Sequence, residues 1–225
     1  MTAGERGAMM HARIARAARA RIARAARARI ARVAQAGAPL AAALALAGCI
    51  GLGGGKPPAQ LIALTPASSA PAGAMAGGTL ADALVVLDPD TDRRLDVLRV
   101  PVQVDDASVA YLKDAQWVER PARQFRRLLA EAIRARSGRM VLEGPNNETG
   151  AKAVLSGRLL DMGYDARKGS VVVRFDAVRR DAAGALQTRR FEAEVPGVPA
   201  KPVPVSAALN RAANDVARQV ADWVG

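Results

Sequence analysis

The amino-acid sequence predicts an α+β fold: a mixed, mostly antiparallel sheet covered on one face by two amphipathic helices. Three observations indicate it. Three long segments rich in β-branched residues fill positions 153–195, an apolar helical stripe begins at Pro121, and a second stripe lies near the C-terminus. Helices with one apolar face and strands of this kind bury those faces against each other in two layers. A chain of 225 residues is long enough for one such domain with appendages.

The first 48 residues differ in charge from the rest of the chain. They hold nine arginines and one acidic residue, Glu5, whereas the other 177 residues hold 24 basic and 20 acidic side chains. Most of the net charge of +12 therefore belongs to a leader. An aromatic content of 3% also disfavours a base-stacking surface, so nucleic-acid binding is not expected.

The leader resembles an export signal. Residues 12–33 repeat at an eight-residue interval rich in Ala and Arg. We interpret this as an extended positive n-region; the alternatives are a basic helix lying on an anionic membrane and a true start at Met9 or Met10. The eleven uncharged residues 37–47 are too short for a spanning helix of about 20 residues, but they fit a signal h-region.

The only cysteine of the chain, Cys49, directly follows that h-region. Leu46, Ala47, Gly48 and Cys49 together resemble the lipobox of bacterial lipoproteins, in which a thiolate accepts the lipid between small neighbours. We expect residues 1–48 to be a lipoprotein signal peptide, and Cys49 to carry diacylglycerol and an N-acyl chain and to anchor the chain stably. No other cofactor is expected. The following Ile50 resembles lipoproteins that are sent to the outer membrane.

After Cys49, residues 49–59 are rich in Gly and Pro and predict a flexible tether, and residues 60–225 form the domain. Within the domain, strands are expected at residues 61–66, 80–88 and 95–104, and two short ones at 109–112 and 115–118. A loop separates the first two. Pro101 suggests that its strand is an edge or contains a bulge.

The first helix begins at Pro121 and ends at Ser137 and Gly138, since its apolar residues recur at helical spacing. Its arginines lie off that stripe and predict a solvated face, or contact with an acidic partner or lipid headgroups. A strand follows at 139–143 and a loop at 145–150. Three long strands then form an antiparallel meander over 153–165, 170–180 and 186–195. The second helix is expected near Ser206, which suits an N-cap.

The stretch from Ala110 to Glu143, with LIALTP upstream and the three strands downstream, resembles the ABC-type transport auxiliary lipoproteins. The correspondence covers roughly residues 46–225. The resemblance implies a periplasm-facing adaptor at the outer membrane. Its implied partners are an MCE-domain protein and the ATPase and permease of that protein's ABC system, with a lipid as cargo. The family has no catalytic residues to transfer to this sequence.

Two aromatic residues precede the first helix in the stretch that carries the resemblance. Tyr111 and Trp117 pack over Phe125 in the first interpretation, and in the second they form a partly exposed anchor for the partner protein. The sequence leaves both interpretations open.

Catalysis is not expected from the residues present. The single histidine, His11, lies in the leader, which excludes histidine-dependent triads and His/Cys metal clusters from the domain. The carboxylates of Asp105, Asp106, Asp88 and Asp90 fall at turn signals, where aspartate serves the backbone. Two other functions remain as alternatives to the adaptor, an activator of a cell-wall synthase and a lipid-binding carrier.

Overall fold

The computed structural model describes residues 61–225, which belong to one compact unit spanning Pro57–Gly225. The predicted signal peptide, the lipobox with Cys49 and the tether lie outside the described residues. Within residues 61–225, neither helix combines the length and the apolar character that crossing a membrane requires.

The described residues form one mixed sheet and two long helices, which confirms the predicted fold class. The strands are β1 (Leu61–Ile62), β2 (Leu84–Val86), β3 (Asp90–Thr91), β4 (Arg99–Gln103), β5 (Val109–Trp117), β6 (Val141–Glu143), β7 (Ala153–Asp165), β8 (Ser170–Arg180) and β9 (Leu186–Val195). The helices are α1 (Pro121–Ser137) and α2 (Pro202–Val224). Short 3-10 helices cover Leu80–Asp82 and Pro145–Asn147.

Strand β7 is the centre of the sheet. Along one edge it pairs antiparallel with β8, which in turn pairs antiparallel with β9. Along its other edge, β2, β3 and β4 follow one another parallel to it. Beyond them, β6 pairs parallel with β2, while β5 and then β1 extend the sheet from β4. The meander is the predicted one.

Both helices pack on one face of the sheet, as the alternation in β8 predicts. Val171, Val173, Phe175 and Ala177 are buried beneath them, while the residues between these four point to the other face. The rings of Phe125 from α1 and Phe175 meet edge to face, with centroids 5.3 Å apart. Such a pair stabilises the fold by about 1 kcal/mol beyond the area that it buries.

Several expectations about the elements are wrong in detail, and the strands expected at 61–66 and 139–143 shorten to β1 and β6. Residues 80–82 form a 3-10 helix, so β2 begins only at Leu84. The strand expected from residue 95 begins at Arg99, and the two strands expected at 109–118 are one, β5. Helix α2 begins at Pro202 rather than near Ser206, because prolines suit a first turn whose N–H groups have no partner within the helix.

Pro101 lies at a bulge, one of the two positions that the sequence allows. The pairing of β4 with β5 shifts register between Arg99 and Pro101, and β4 is an interior strand. Gly163 on β7 lies directly beneath Pro101, since a Cβ at that glycine would come within 2.5 Å of the Pro101 carbonyl oxygen. The absent side chain lets the two strands approach at this point.

Candidate interaction site

The segment of residues 64–70, here called the strap, follows β1 and lies across both helices. Its backbone is held by side chains rather than by a strand. Gln124 of α1 accepts the N–H of Leu64 through Oε1 at 2.9 Å, and Glu131 of α1 accepts the N–H of Ala70 at 2.8 Å. These two helix residues are seven positions apart and so share one face of α1.

Helix α2 holds the middle of the strap. The Asn210 Oδ1 accepts the Thr65 N–H at 2.8 Å. Asn214 accepts the Ala67 N–H through Oδ1 at 2.7 Å and donates from Nδ2 to the Thr65 carbonyl at 2.9 Å. A side-chain amide offers both a donor and an acceptor, so Asn214 imitates the pairing of a neighbouring strand. The strap therefore joins α1 to α2 and fixes where the N-terminal chain enters the domain.

A groove of about 860 Å³ lies beside the strap between the two helices. Its floor is formed by small or apolar residues, and its rim by charged residues of both helices. Arg218 pairs with Asp215 at 2.6 Å, and Arg136 pairs with Asp222 at 2.9 Å. The groove thus has a floor of small or apolar side chains, and four of its charged rim residues, Arg136, Asp215, Arg218 and Asp222, form ion pairs.

The two aromatic candidates lie in different environments. Trp117 is only 1% exposed, which favours the core interpretation, because a residue this deeply buried offers no surface to a partner. Tyr111 is half-buried, and the guanidinium of Arg99 stacks over its ring at 3.9 Å from the centroid. Of the two, Tyr111 is the residue that a partner can reach.

The arginines of α1 were expected on a solvated face, but two of them, Arg126 and Arg134, contact the sheet instead. The Arg126 side chain is 16% exposed and contacts Asp88 at 3.0 Å and Glu143 at 3.3 Å. Arg134 contacts the same Glu143 at 2.9 Å and donates to the Val141 carbonyl. These contacts tie α1 to β6, so the two arginines are structural.

The face of the sheet opposite the helices carries six alternating charges, here called the charge ladder. Its members are Arg158 and Asp161 on β7, Arg174 and Asp176 on β8, and Arg190 and Glu192 on β9. One row across the strands is Asp161, Arg174 and Glu192, and the next row is Arg158, Asp176 and Arg190. Each charge therefore has opposite charges on the neighbouring strand and in the neighbouring row, which stabilises cross-strand pairs.

The ion pairs of the charge ladder are close. Arg174 contacts Asp161 at 2.5 Å and Glu192 at 2.6 Å, and Arg190 grips Asp176 with two bonds of 2.6 and 2.7 Å. The hydrogen bonds from Arg190 lower the pKa of Asp176, and those from Arg174 lower the pKa of Glu192. Both carboxylates therefore stay ionised at a lower pH than an unpaired carboxylate does.

Next to the charge ladder, a polar pocket of about 340 Å³ opens over β4, β7 and β8. Its cations are paired in the same way. Arg94 contacts Asp161 at 2.8 Å, and Arg167 contacts Asp165 at 2.7 Å and also Asp106. The contact with Arg167 lowers the pKa of Asp165.

A carboxylate that acts as a general acid needs a raised pKa. In the described part of the chain, each carboxyl group with a shifted pKa has it lowered. Asp105 accepts the backbone N–H of Ala107 at 2.9 Å, as a turn aspartate does. Among residues 61–225, no group of three or more acidic or His/Cys side chains has the geometry to hold a metal ion.

Sequence reasoning missed the four side chains that hold the strap. Gln124, Glu131, Asn210 and Asn214 are ordinary polar residues beside the apolar stripes of their helices. Their common role depends on α1 and α2 lying side by side beneath residues that are more than fifty positions away from them along the chain.

We expect Asn214→Ala to loosen the strap without unfolding the domain. The substitution removes two hydrogen bonds to the strap, and the net stabilisation from such a bond is about 1 kcal/mol. Amide hydrogen exchange of residues 64–70 should accelerate by about fivefold or more, while exchange in β8 stays unchanged. Asn147→Ala, which removes a bond from the Asn147 side chain to the Glu143 carbonyl, serves as the control. Equal exchange in both variants would contradict this role.

The charge ladder should make stability depend on pH. A carboxyl whose pKa is lowered on folding contributes stability above its unfolded pKa of about 4, and that contribution is lost as the pH falls through the folded value. We expect the free energy of unfolding to decrease less between about pH 5 and pH 2 in Asp176→Asn than in the wild-type chain. Denaturant titrations at several pH values measure this, with Asp114→Asn as the control. Parallel pH curves for wild type and Asp176→Asn would refute it.

Comparison with solved structures supports the fold. Protein XCC0632 from Xanthomonas campestris, of the DUF330 family, superposes with a TM-score of 0.61 at 16% identity, covering 74% of this chain and 94% of that one. A crystal structure of an uncharacterized protein gives 0.56 at 17% identity, covering 64% and 92%. PelC of Paraburkholderia phytofirmans, a dodecamer, gives only 0.36 at 13% identity, covering 62% and 89%.

No curated protein matches the chain in sequence. The model of one family does match, over residues 63–221, and that family is described as the ABC-type transport auxiliary lipoprotein component. The DUF330 proteins belong to the same family. The match begins in the residues that lead into the strap and ends within α2, so it includes nearly all of the fold described above. The chain therefore belongs to the ABC-type transport auxiliary lipoprotein family.

Proposed function

We propose that this protein is a non-catalytic, periplasm-facing adaptor of an MCE-type intermembrane lipid-transport system. The family match over residues 63–221 carries the proposal, since it identifies an auxiliary lipoprotein component of an ABC-type transporter. In this proposal an MCE-domain protein is the direct partner, and separate ATPase and permease chains supply the energy. The cargo is a phospholipid or another lipid.

The acyl chains on Cys49, within the lipobox Leu46, Ala47 and Gly48, anchor the protein to the periplasmic face of the outer membrane. Eleven residues lie between Cys49 and β1, so the anchor lies within about 40 Å of the sheet. No further cofactor takes part. The domain thus works close to its membrane.

The strap suits a tethered protein. Tension on the anchor reaches the domain through β1, whose two residues pair with Gln116 and Trp117 of β5, and then through the strap. The hydrogen bonds between the strap and Gln124, Asn210 and Asn214 spread that load over both helices. A short terminal strand alone would fray more easily than one that continues into a held segment.

The partner protein meets the surface around Tyr111 and the groove between the helices. The half-buried ring of Tyr111 provides an aromatic contact, and the paired charges on the groove rim provide polar contacts. Interfaces commonly combine an aromatic anchor with a polar rim. The carrier alternative is less favoured, because it needs an enclosed apolar cavity between the sheet and the helices, whereas the groove between the helices is open at the surface.

Membrane purification tests the adaptor role. From membranes of the source cell, we expect a C-terminally tagged full chain to co-purify with an MCE-domain protein and with its ATPase and permease. Tyr111→Ala should weaken that capture several-fold because it removes the aromatic contact. Val203→Ala, a change at an apolar residue 68% exposed on α2, serves as the control. If the tagged chain captures cell-wall synthases and no MCE-domain protein, the proposal is wrong.

A separate experiment tests the anchor. Cys49→Ser should abolish incorporation of labelled palmitate and leave the unprocessed precursor in the inner membrane, because a hydroxyl group does not replace the thiolate that accepts the lipid. Sucrose-gradient fractionation and labelling measure both effects. If Cys49→Ser still fractionates with the outer membrane, the lipid anchor is not at this residue.

A further inference from the structure

Strand β9 has a long edge that no other strand of the described part of the chain covers. It pairs with β8 along all ten of its residues, and β8 is its only strand partner there. Its first five residues are also exposed on both faces. An uncovered strand of this length presents a row of free N–H and C=O groups, which is a ready template for another strand.

The other long edge of the sheet is interrupted. On β5, the pairing with β4 shifts register, and Asp114 has a left-handed backbone with φ of 56°. Such a kink is a device that blocks pairing with another strand. The β8–β9 ladder contains no register shift, so the edge of β9 keeps a regular geometry.

The contact of Gln219 shows which residues face outward at this edge. Its Nε2 donates to the Glu192 carbonyl at 3.3 Å. Because Glu192 therefore directs its backbone groups away from β8, the strand geometry gives the same direction to every second residue, including Thr188, Arg190 and Glu194. Gln219 is the side chain that would have to swing aside for a new strand to pair.

We propose that β9 pairs antiparallel with β9 of a second copy of this chain, with Arg190 opposite Glu192 of the second copy. This register makes Phe191 the residue on the two-fold axis. It forms two Arg190–Glu192 pairs, one on each side of the axis, and joins the two sheets into one continuous sheet. A two-fold contact of this kind is self-complementary, as homodimer interfaces are.

The charge pattern selects this register. A residue whose backbone groups point outward can only lie opposite another such residue. The second copy can therefore slide along β9 only in steps of two residues, which gives two neighbouring registers. One of them places Arg190 opposite Arg190 of the second copy, and the other places Glu192 opposite Glu192. Like charges directly opposite each other destabilise a strand pair.

The proposed pairing also continues the charge ladder across the axis. In the first row, Asp161, Arg174 and Glu192 are followed by Arg190, Asp176 and Arg158 of the second copy, so that the signs alternate over six strands. The side chains that meet at the axis are accessible, since those of Arg190 and Glu192 are 61% and 40% exposed. Across the axis, each charged side chain therefore faces a residue of opposite charge, as it already does within its own sheet.

A charge-swap experiment tests the dimer. Two copies of the full chain with different C-terminal tags are co-expressed and extracted in mild detergent, and capture of one tag is scored for the other. We expect wild-type copies to capture each other. Arg190→Glu or Glu192→Arg, each present in both copies, should reduce capture about tenfold or more, because like charges then face each other twice.

Co-expression of one variant with the other is the decisive measurement. A copy with Arg190→Glu and a copy with Glu192→Arg present opposite charges at both pairs, so capture should return. Misfolding of a single variant cannot produce this rescue. Arg189→Glu is the matched control: it changes the net charge equally one residue away, where Ala193 of the second copy is opposite, and capture should persist.

Thr188→Pro tests the backbone independently, since it removes an outward N–H while leaving the pairing with β8 intact. It should weaken capture of the wild-type copy. Three results would overturn the proposal: wild-type copies that do not capture each other, mixed variants that do not recover capture, or an Arg189→Glu variant that loses capture. Equal capture by wild-type and Arg190→Glu copies would do the same. Full capture by Thr188→Pro would also overturn it.

Discussion

The fold depends on satisfying both edges of β7. This strand has thirteen residues, and its backbone groups need partners on either side, because unpaired groups inside a sheet are costly. Strand β8 provides one edge with a single continuous partner. The other edge is divided among three short segments, β2, β3 and β4, which track β7 in the order of the chain.

The division is made possible by Arg94, in the connection between β3 and β4. The pairing of β7 with β8 shifts register between Leu159 and Asp161, which leaves Leu160 as an extra residue. The Arg94 guanidinium donates to the Leu160 carbonyl at 2.5 Å and contacts Asp161 at 2.8 Å. One side chain thus satisfies the bulge and holds the connection on the sheet.

The helix layer is tied to the sheet at both ends of α2. Arg179 of β8 donates to the carbonyls of Trp223 and Val224 and so caps the end of α2, where a positive charge is favourable. Tyr164 of β7 donates to the Val198 carbonyl and fixes the connection that leads into α2. With both ends of α2 tied to the sheet, the asparagines that hold the strap sit on a firm support.

The sequence by itself determined the elements whose signals are local. The bounds of β7, β8 and β9 and of α1 follow from alternation, helical periodicity and turn residues, all of which act over a few positions. The lipobox motif and the order of the strands and helices were enough to identify the family. The tertiary structure alone decided what depends on distant neighbours: the strap, the burial of Trp117, the pairing of Arg126 with Asp88, and the alternation of charge across three strands. The role of such a side chain depends on residues that only folding brings within hydrogen-bond distance. A pattern that extends over a few sequence positions cannot predict those contacts.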